Sequence, residues 1–144
     1  MVDQNHARPD ILARVLLHDV SPNTPFIFVF GSNLAGRHGK GAALTAKQDY
    51  GAVYGQGEGL QGSAYAIPTK DWNLCRLPLK SIEFYVNRFI EHARANPENR
   101  YYVTRIGCGL AGFRDQDIGP LFKLASQNCT LPSEWSIYLH DHSH

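Results

Sequence analysis

A chain of 144 residues with 43% hydrophobic content is sized for one domain around one substantial core. Its formal charge of +1 gives no general electrostatic case for nucleic acid or an acidic membrane surface. The three cysteines, Cys75, Cys108 and Cys129, form no disulfide framework and read as reduced thiols of a cytoplasmic protein; no apolar stretch is long enough for a transmembrane helix.

Met1 to Asp10 is polar, unlike a secretory signal, and is expected to be a loose arm. Ile11 to Val20 is apolar without a clean period, so it reads as a helix or a short strand, and Ser21 to Pro25 is a turn with two prolines. Phe26 to Phe30 is an apolar run with strand character that Gly31 is expected to end. Gly31, Gly36, Gly39 and Gly41 follow within eleven residues, interleaved with Arg37, His38 and Lys40. A helix is expected from Ala42 to Tyr50, ended by Gly51. Buried strand, glycine loop and helix in that order suit a phosphate. Glycine lets successive N–H groups converge on an anion, and the helix N-terminus adds partial positive charge.

Gly55 to Gly62 holds four glycines in eight residues, which excludes a stable helix or central strand and predicts an ordered loop that closes over a ligand. In that loop Gln56 or Gln61 is expected against a ribose or base. Ser63 to Ile67 reads as a strand ended by Pro68, and Thr69 to Trp72 then lies at the strand-end edge where open sheets bind ligands. Asp71 and Trp72 are candidates for a base, against a plain reading of Trp72 as filling the core rim. Ile82, Tyr85, Val86, Phe89, Ile90 and Ala93 follow a helical period behind Pro78, and Asn96-Pro97 stops that helix. Tyr101 to Ile106 is the next strand and Gly107 to Phe113 a second strand-end glycine loop. A helix through Ile118, Leu121, Phe122 and Ala125, capped by Asp115 or Asp117, leads to a last strand from Trp135 to Leu139. His140, His142 and His144 alternate in a tail too short for a structural metal site.

Two stretches carry a family resemblance. Arg37-His38-Gly39-Lys40-Gly41-Ala42-Ala43 and Arg105-Ile106-Gly107-Cys108-Gly109-Leu110 resemble the two ligand loops of the macro domains associated with ADP-ribose, nearest to the branch that removes terminal ADP-ribose from proteins. The chain also resembles a group of uncharacterised bacterial and phage proteins. The resemblance covers roughly Phe26 to Ala125 and implies a macro-domain-like α/β fold, a three-layer α/β/α sandwich on a mixed central sheet; the chain is expected to form a single such domain over 1–144, with an arm at 1–10 and a tail at 140–144. It implies ADP-ribose or a related NAD-derived nucleotide as ligand, free or on a modified protein or base, with no cofactor and no metal.

The residues matching that ligand site are Gly31, Asn33, Arg37, Gly39, Lys40, Gly41, Gly107, Cys108, Gly109, Leu110, Ala111, Gly112 and Phe113. The hydrolase branch uses a lysine and an aspartate where this chain has Arg37 and Ala111. An arginine is a poor nucleophile and Ala111 accepts no proton. Catalytic candidates are therefore Asn33 to orient a ribose, His38 or Asp115 for proton transfer, and Glu58 from the glycine-rich loop. Glycosidic hydrolysis, nucleotide binding without catalysis, and a structural role for the loops all stay open. Cys108, with no activating partner in its motif, reads as a packed thiol rather than a nucleophile.

Overall fold

The computed structural model describes residues 25–109 and 111–139. The expected arm at 1–10, the Ile11 to Val20 segment, most of the Ser21 to Pro25 turn, Leu110 and the tail with His140, His142 and His144 lie outside the described residues. The elements are β1 (Ile27–Asn33), α1 (Gly41–Asp49), β2 (Gly59–Gln61), β3 (Ala64–Lys70), α2 (Leu79–Ala95), β4 (Tyr101–Val103), α3 (Asp115–Ile118) with a 3₁₀ turn at Gly119–Phe122, β5 (Cys129–Thr130), a 3₁₀ turn at Ser133–Trp135 and α4 (Ser136–Leu139). The five strands form one mixed sheet in the order β2-β3-β1-β4-β5. β2 pairs antiparallel with β3, and all other pairings are parallel. Among the described residues no helix is long and apolar enough to cross a membrane.

β1 is apolar on both sides because it is the central parallel strand. Phe28 and Phe30 join Ala43, Ala46 and Tyr50 in one core cluster. The small residues Ala43 and Ala46 leave room for large rings, and Tyr50 stacks on Phe28 with centroids 4.5 Å apart. Val29 joins a second cluster with Ile82, Val86, Phe89, Ile90, Ile118, Phe122 and Trp135. The expected α2 stripe is all core except Tyr85, which packs against the cluster from its partly buried edge.

Several boundaries differ from the sequence reading. Gly31 lies inside β1, which runs on to Asn33. Pro68 lies inside β3, opposite Ser32 of β1 and beyond the part of β3 that β2 pairs. A proline cannot donate to the ladder, so it is tolerated where the outer side of the strand is open. The register shifts there: Ser32 faces Pro68 but Asn33 faces Lys70. Thr69 is the extra residue, and its hydroxyl donates to the Ser32 carbonyl at 3.3 Å. Such a bulge bends a strand end and re-aims its side chains.

Gly55 to Gly62 is not a free-standing loop. Gly59–Gln61 is the edge strand β2, joined to β3 through a turn in which Gly62 takes φ +59°. β4 stops at Val103, and the helix expected around Ile118 is a single α-turn continued as 3₁₀. Trp135 to Leu139, expected as a strand, is a 3₁₀ turn followed by α4, and the last strand is Cys129–Thr130.

Candidate functional site

β1 leads into α1 on the Phe28 face of the sheet, whereas β4 leads into α3 on the Val29 face. Neighbouring parallel strands that send their chains to opposite faces leave a crevice at their carboxyl ends. A cleft of about 670 Å³ opens there, at the ends of β1, β3 and β4. Glycine backbone at Gly31, Gly39, Gly41, Gly107 and Gly109 forms part of its wall, with Ser32, Asn33, Thr69 and Thr104 as polar lining. The N-terminus of α1 opens onto the cleft, since Gly41, Ala42 and Ala43 line it and no side chain caps the helix. Four cationic residues line the cleft, Arg37, Lys40, Lys70 and Arg105; among the described residues no aspartate, glutamate, histidine or cysteine does.

Of the expected ligand-site residues, Gly31, Asn33, Arg37, Gly39, Lys40, Gly41, Gly107, Gly109 and Ala111 meet in this cleft. Cys108, Gly112 and Phe113 do not line it, and Leu110 lies outside the described residues. The Cys108 side chain packs against the core beside Asp115, and burial pushes its thiol up to about 12, so it stays protonated near neutral pH. Phe113 turns away to lie under the Arg76 guanidinium, 4.5 Å from the ring centre.

The four catalytic candidates separate. Asn33 is in the cleft wall, but its amide is engaged on both sides by one residue: Nδ2 donates to the Arg37 carbonyl at 3.0 Å and Oδ1 accepts from the Arg37 N–H at 2.9 Å. It clamps the loop that carries Arg37. His38 is fully buried beneath the loop, edge-on to Phe30, with Nε2 3.1 Å from the Gln56 carbonyl and 3.2 Å from the Gln61 side-chain oxygen. Both neighbours are acceptors, so Nε2 carries the proton. Gln61 is consumed in the same knot: its amide nitrogen donates to the Gln56 and Gly59 carbonyls, and its oxygen accepts from Val53 N–H.

Glu58 lies outside the cleft and pairs with Arg88 of α2 at 2.7 Å. Asp115 also lies outside the lining. Its carboxylate takes Arg105 Nε at 3.0 Å and Nη2 at 2.7 Å, plus the Trp135 indole N–H at 2.9 Å. The Arg105 hydrogen bonds, the largest effect, hold Asp115 below the usual carboxylate range against the opposing effect of burial, with Trp135 and Cys108 adding smaller hydrogen-bond contributions in the same direction as Arg105.

The expected lid is part of the wall's foundation. The Ser32 hydroxyl donates to the Gly57 carbonyl, and Gly55 N–H donates to the Gly36 carbonyl at 2.8 Å. Asp71 spends its carboxylate on the N–H groups of Asn73 and Cys75, and Trp72 is exposed outside the cleft. From that rim Leu74, at φ +64°, lines the cleft, and so does Tyr54. Leu74, Ser32 and Thr104 did not stand out in sequence, because no motif spacing marks them. Thr104 follows β4 directly, and its hydroxyl donates to the Val29 carbonyl at 2.8 Å. Among the described residues no group of acidic, histidine or cysteine side chains is arranged to hold a metal ion. No family model matches the chain, and comparison with curated proteins and with solved structures finds no significant match.

Proposed function

We propose that the cleft binds a phosphate-bearing nucleotide of the ADP-ribose class, and that the chain recognises it rather than hydrolyses it. The observation that carries this reading is the lining: four cations and no carboxylate around glycine backbone at the carboxyl ends of three strands. Anionic oxygens gain charge-assisted hydrogen bonds there and meet no like charge. The uncapped α1 N-terminus supports the same ligand through free N–H groups and its partial positive charge. Hydrolysis has less support, because His38, Glu58 and Asp115 are each engaged away from the cleft. On this reading the mixed sheet with helices against both faces is a macro-domain-like sandwich, and the protein works in the cytoplasm, where its free thiols stay reduced.

Titration calorimetry with ADP-ribose, AMP and pyrophosphate tests the reading. One saturable site is expected, weakened by salt because Arg37, Lys40 and Arg105 are all exposed. The Arg37→Ala, Lys40→Ala double variant is expected to lose at least roughly tenfold in affinity, as the loss of charged hydrogen bonds implies. No binding heat and no competition with any of the three compounds would refute the proposal.

A further inference from the structure

We infer that Arg105 is a preset anion fork in the cleft and that Asp115 is the residue that positions it, an inference that rests on the nucleotide reading above. Arg105 sits two residues past β4 and lines the cleft. Asp115 grips it side-on, by Nε and by Nη2. A guanidinium has five N–H groups in one plane, and this grip uses two. Of the three that remain, the second on Nη2 and one on Nη1 lie side by side on the end-on edge of the group, next to the edge that holds the carboxylate. That edge matches two oxygens of one phosphate.

The carboxylate is itself fixed. Asp115 opens α3, and its Oδ1 also takes the indole N–H of Trp135. Trp135 is fully buried and stacks on Phe122 with centroids 4.9 Å apart. Arg105 is therefore tied through Asp115 to the core. Arg37, Lys40 and Lys70 have no such tie: none makes a side-chain hydrogen bond or ion pair with another described residue. A long side chain ordered in advance loses less entropy when it meets its ligand. Sequence reading placed Asp115 in the proton-transfer chemistry; its geometry gives it an indirect role through Arg105.

Two effects of removing the Asp115 charge oppose each other, and their signs separate positioning from plain electrostatics. Loss of a negative charge roughly 8 Å from a bound phosphate tightens anion binding about two- to threefold at the dielectric of an exposed site. Loss of the grip weakens it, because the carboxamide of Asp115→Asn offers an N–H toward Nη2 in place of an acceptor.

The test uses the full chain carrying Trp72→Phe, which leaves Trp135 as its one tryptophan. Pyrophosphate and ADP-ribose are the probes, read by calorimetry and by Trp135 emission. Arg105→Ala is expected to lose roughly 10- to 100-fold in affinity. Arg105→Lys, which keeps the charge without the fork, is expected to lose nearly as much. Asp115→Asn is expected to lose about three- to tenfold, and nothing further in the Arg105→Ala background. Trp135 emission is expected to shift on binding in the parent and not in Arg105→Ala.

Unchanged or tighter binding by Asp115→Asn, an Asp115→Asn loss that persists in full without Arg105, or parent-like binding by Arg105→Lys each overturns the inference and leaves the nucleotide reading standing. Should Asp115→Asn fail to fold, the Arg105→Lys result decides alone, since Arg105 is exposed. Failure of the parent to bind either probe overturns both.

Discussion

Replacing Gly36 with alanine tests how the first glycine loop is held. Gly36 sits at φ +71°, and a Cβ there would lie 2.7 Å from the Gly55 Cα and closer still to the Gly55 carbonyl carbon and the Gln56 nitrogen. All three neighbours are backbone, so no rotamer change relieves the overlap. The left-handed conformation costs a non-glycine residue about 1–2 kcal/mol. Forced separation of two packed segments adds about 1–3 kcal/mol. The sum, about 2–5 kcal/mol, corresponds to a fall of roughly 6–20 °C in unfolding midpoint for a chain of this size. The separation also breaks the Gly55-to-Gly36 hydrogen bond and opens the pocket that encloses His38. Gly39→Ala is the control, since a Cβ at Gly39 meets nothing within 4 Å. Urea unfolding of both variants measures the difference. A Gly36→Ala variant within about 1 kcal/mol of Gly39→Ala would show that the two glycine segments are not interlocked and that the reasoning from backbone overlap is wrong.

Gly109→Val is expected to fold normally, because a Cβ there meets nothing within 4 Å, and to lose nucleotide binding by filling the cleft wall; retained binding in calorimetry would remove Gly109 from the site. Glu58→Gln is expected to leave ligand affinity unchanged, because Glu58 faces Arg88 outside the cleft; a drop in affinity would return it to the site. Stability is expected to fall as pH rises from about 9 toward 12. Burial raises Cys108 from 9.0 to about 12, Cys129 from 9.0 to about 11 and Tyr65 from 10.0 to about 12. The unfolded chain therefore binds fewer protons than the native one across that range, so the slope of stability with pH is negative. Cys108→Ser is expected to flatten part of that slope in pH-dependent urea titrations, and an unchanged slope would contradict the assigned burial effect. Iodoacetamide at pH 8 is expected to label exposed Cys75 well before Cys108 or Cys129, and equal rates would contradict the burial of the latter two.

The parts of the fold legible in sequence are those whose signal is local. The α2 stripe repeats every turn, and the β1 run is apolar on both faces because two helices cover it. Pro68 misled because its cost depends on whether a neighbouring strand needs its N–H, which only the sheet order reveals. Trp135 to Leu139 is rich in strand-forming residues, yet Trp135, Tyr138 and Leu139 turn inward while Ser136 and Ile137 are exposed. That spacing is helical, and β-propensity outweighed it in the sequence reading. The run of Gly55 to Gly62 misled differently: glycine density signals freedom in an isolated chain, but Gly57 and Gly62 are needed because backbone from Asn33, Leu34 and Gly51 packs where a side chain would be.

The site divides along the same line. Glycine loops at strand ends are readable because a strand followed by glycine marks its own carboxyl end. Roles for His38, Glu58 and Asp115 were not readable, since each is set by a partner distant in sequence: Gln61, Arg88, and Arg105 with Trp135. The charge of the cleft was hidden for a related reason. A net charge of +1 describes the chain as a whole, and Arg37, Lys40, Lys70 and Arg105 are scattered through it among nearly as many acids. They converge because β1, β3 and β4 run parallel and so end at one edge. Charge read along a sequence averages over both edges of a sheet, whereas a ligand meets one. The chain's near-neutrality therefore leaves a small anion, bound at that one edge, fully compatible with it.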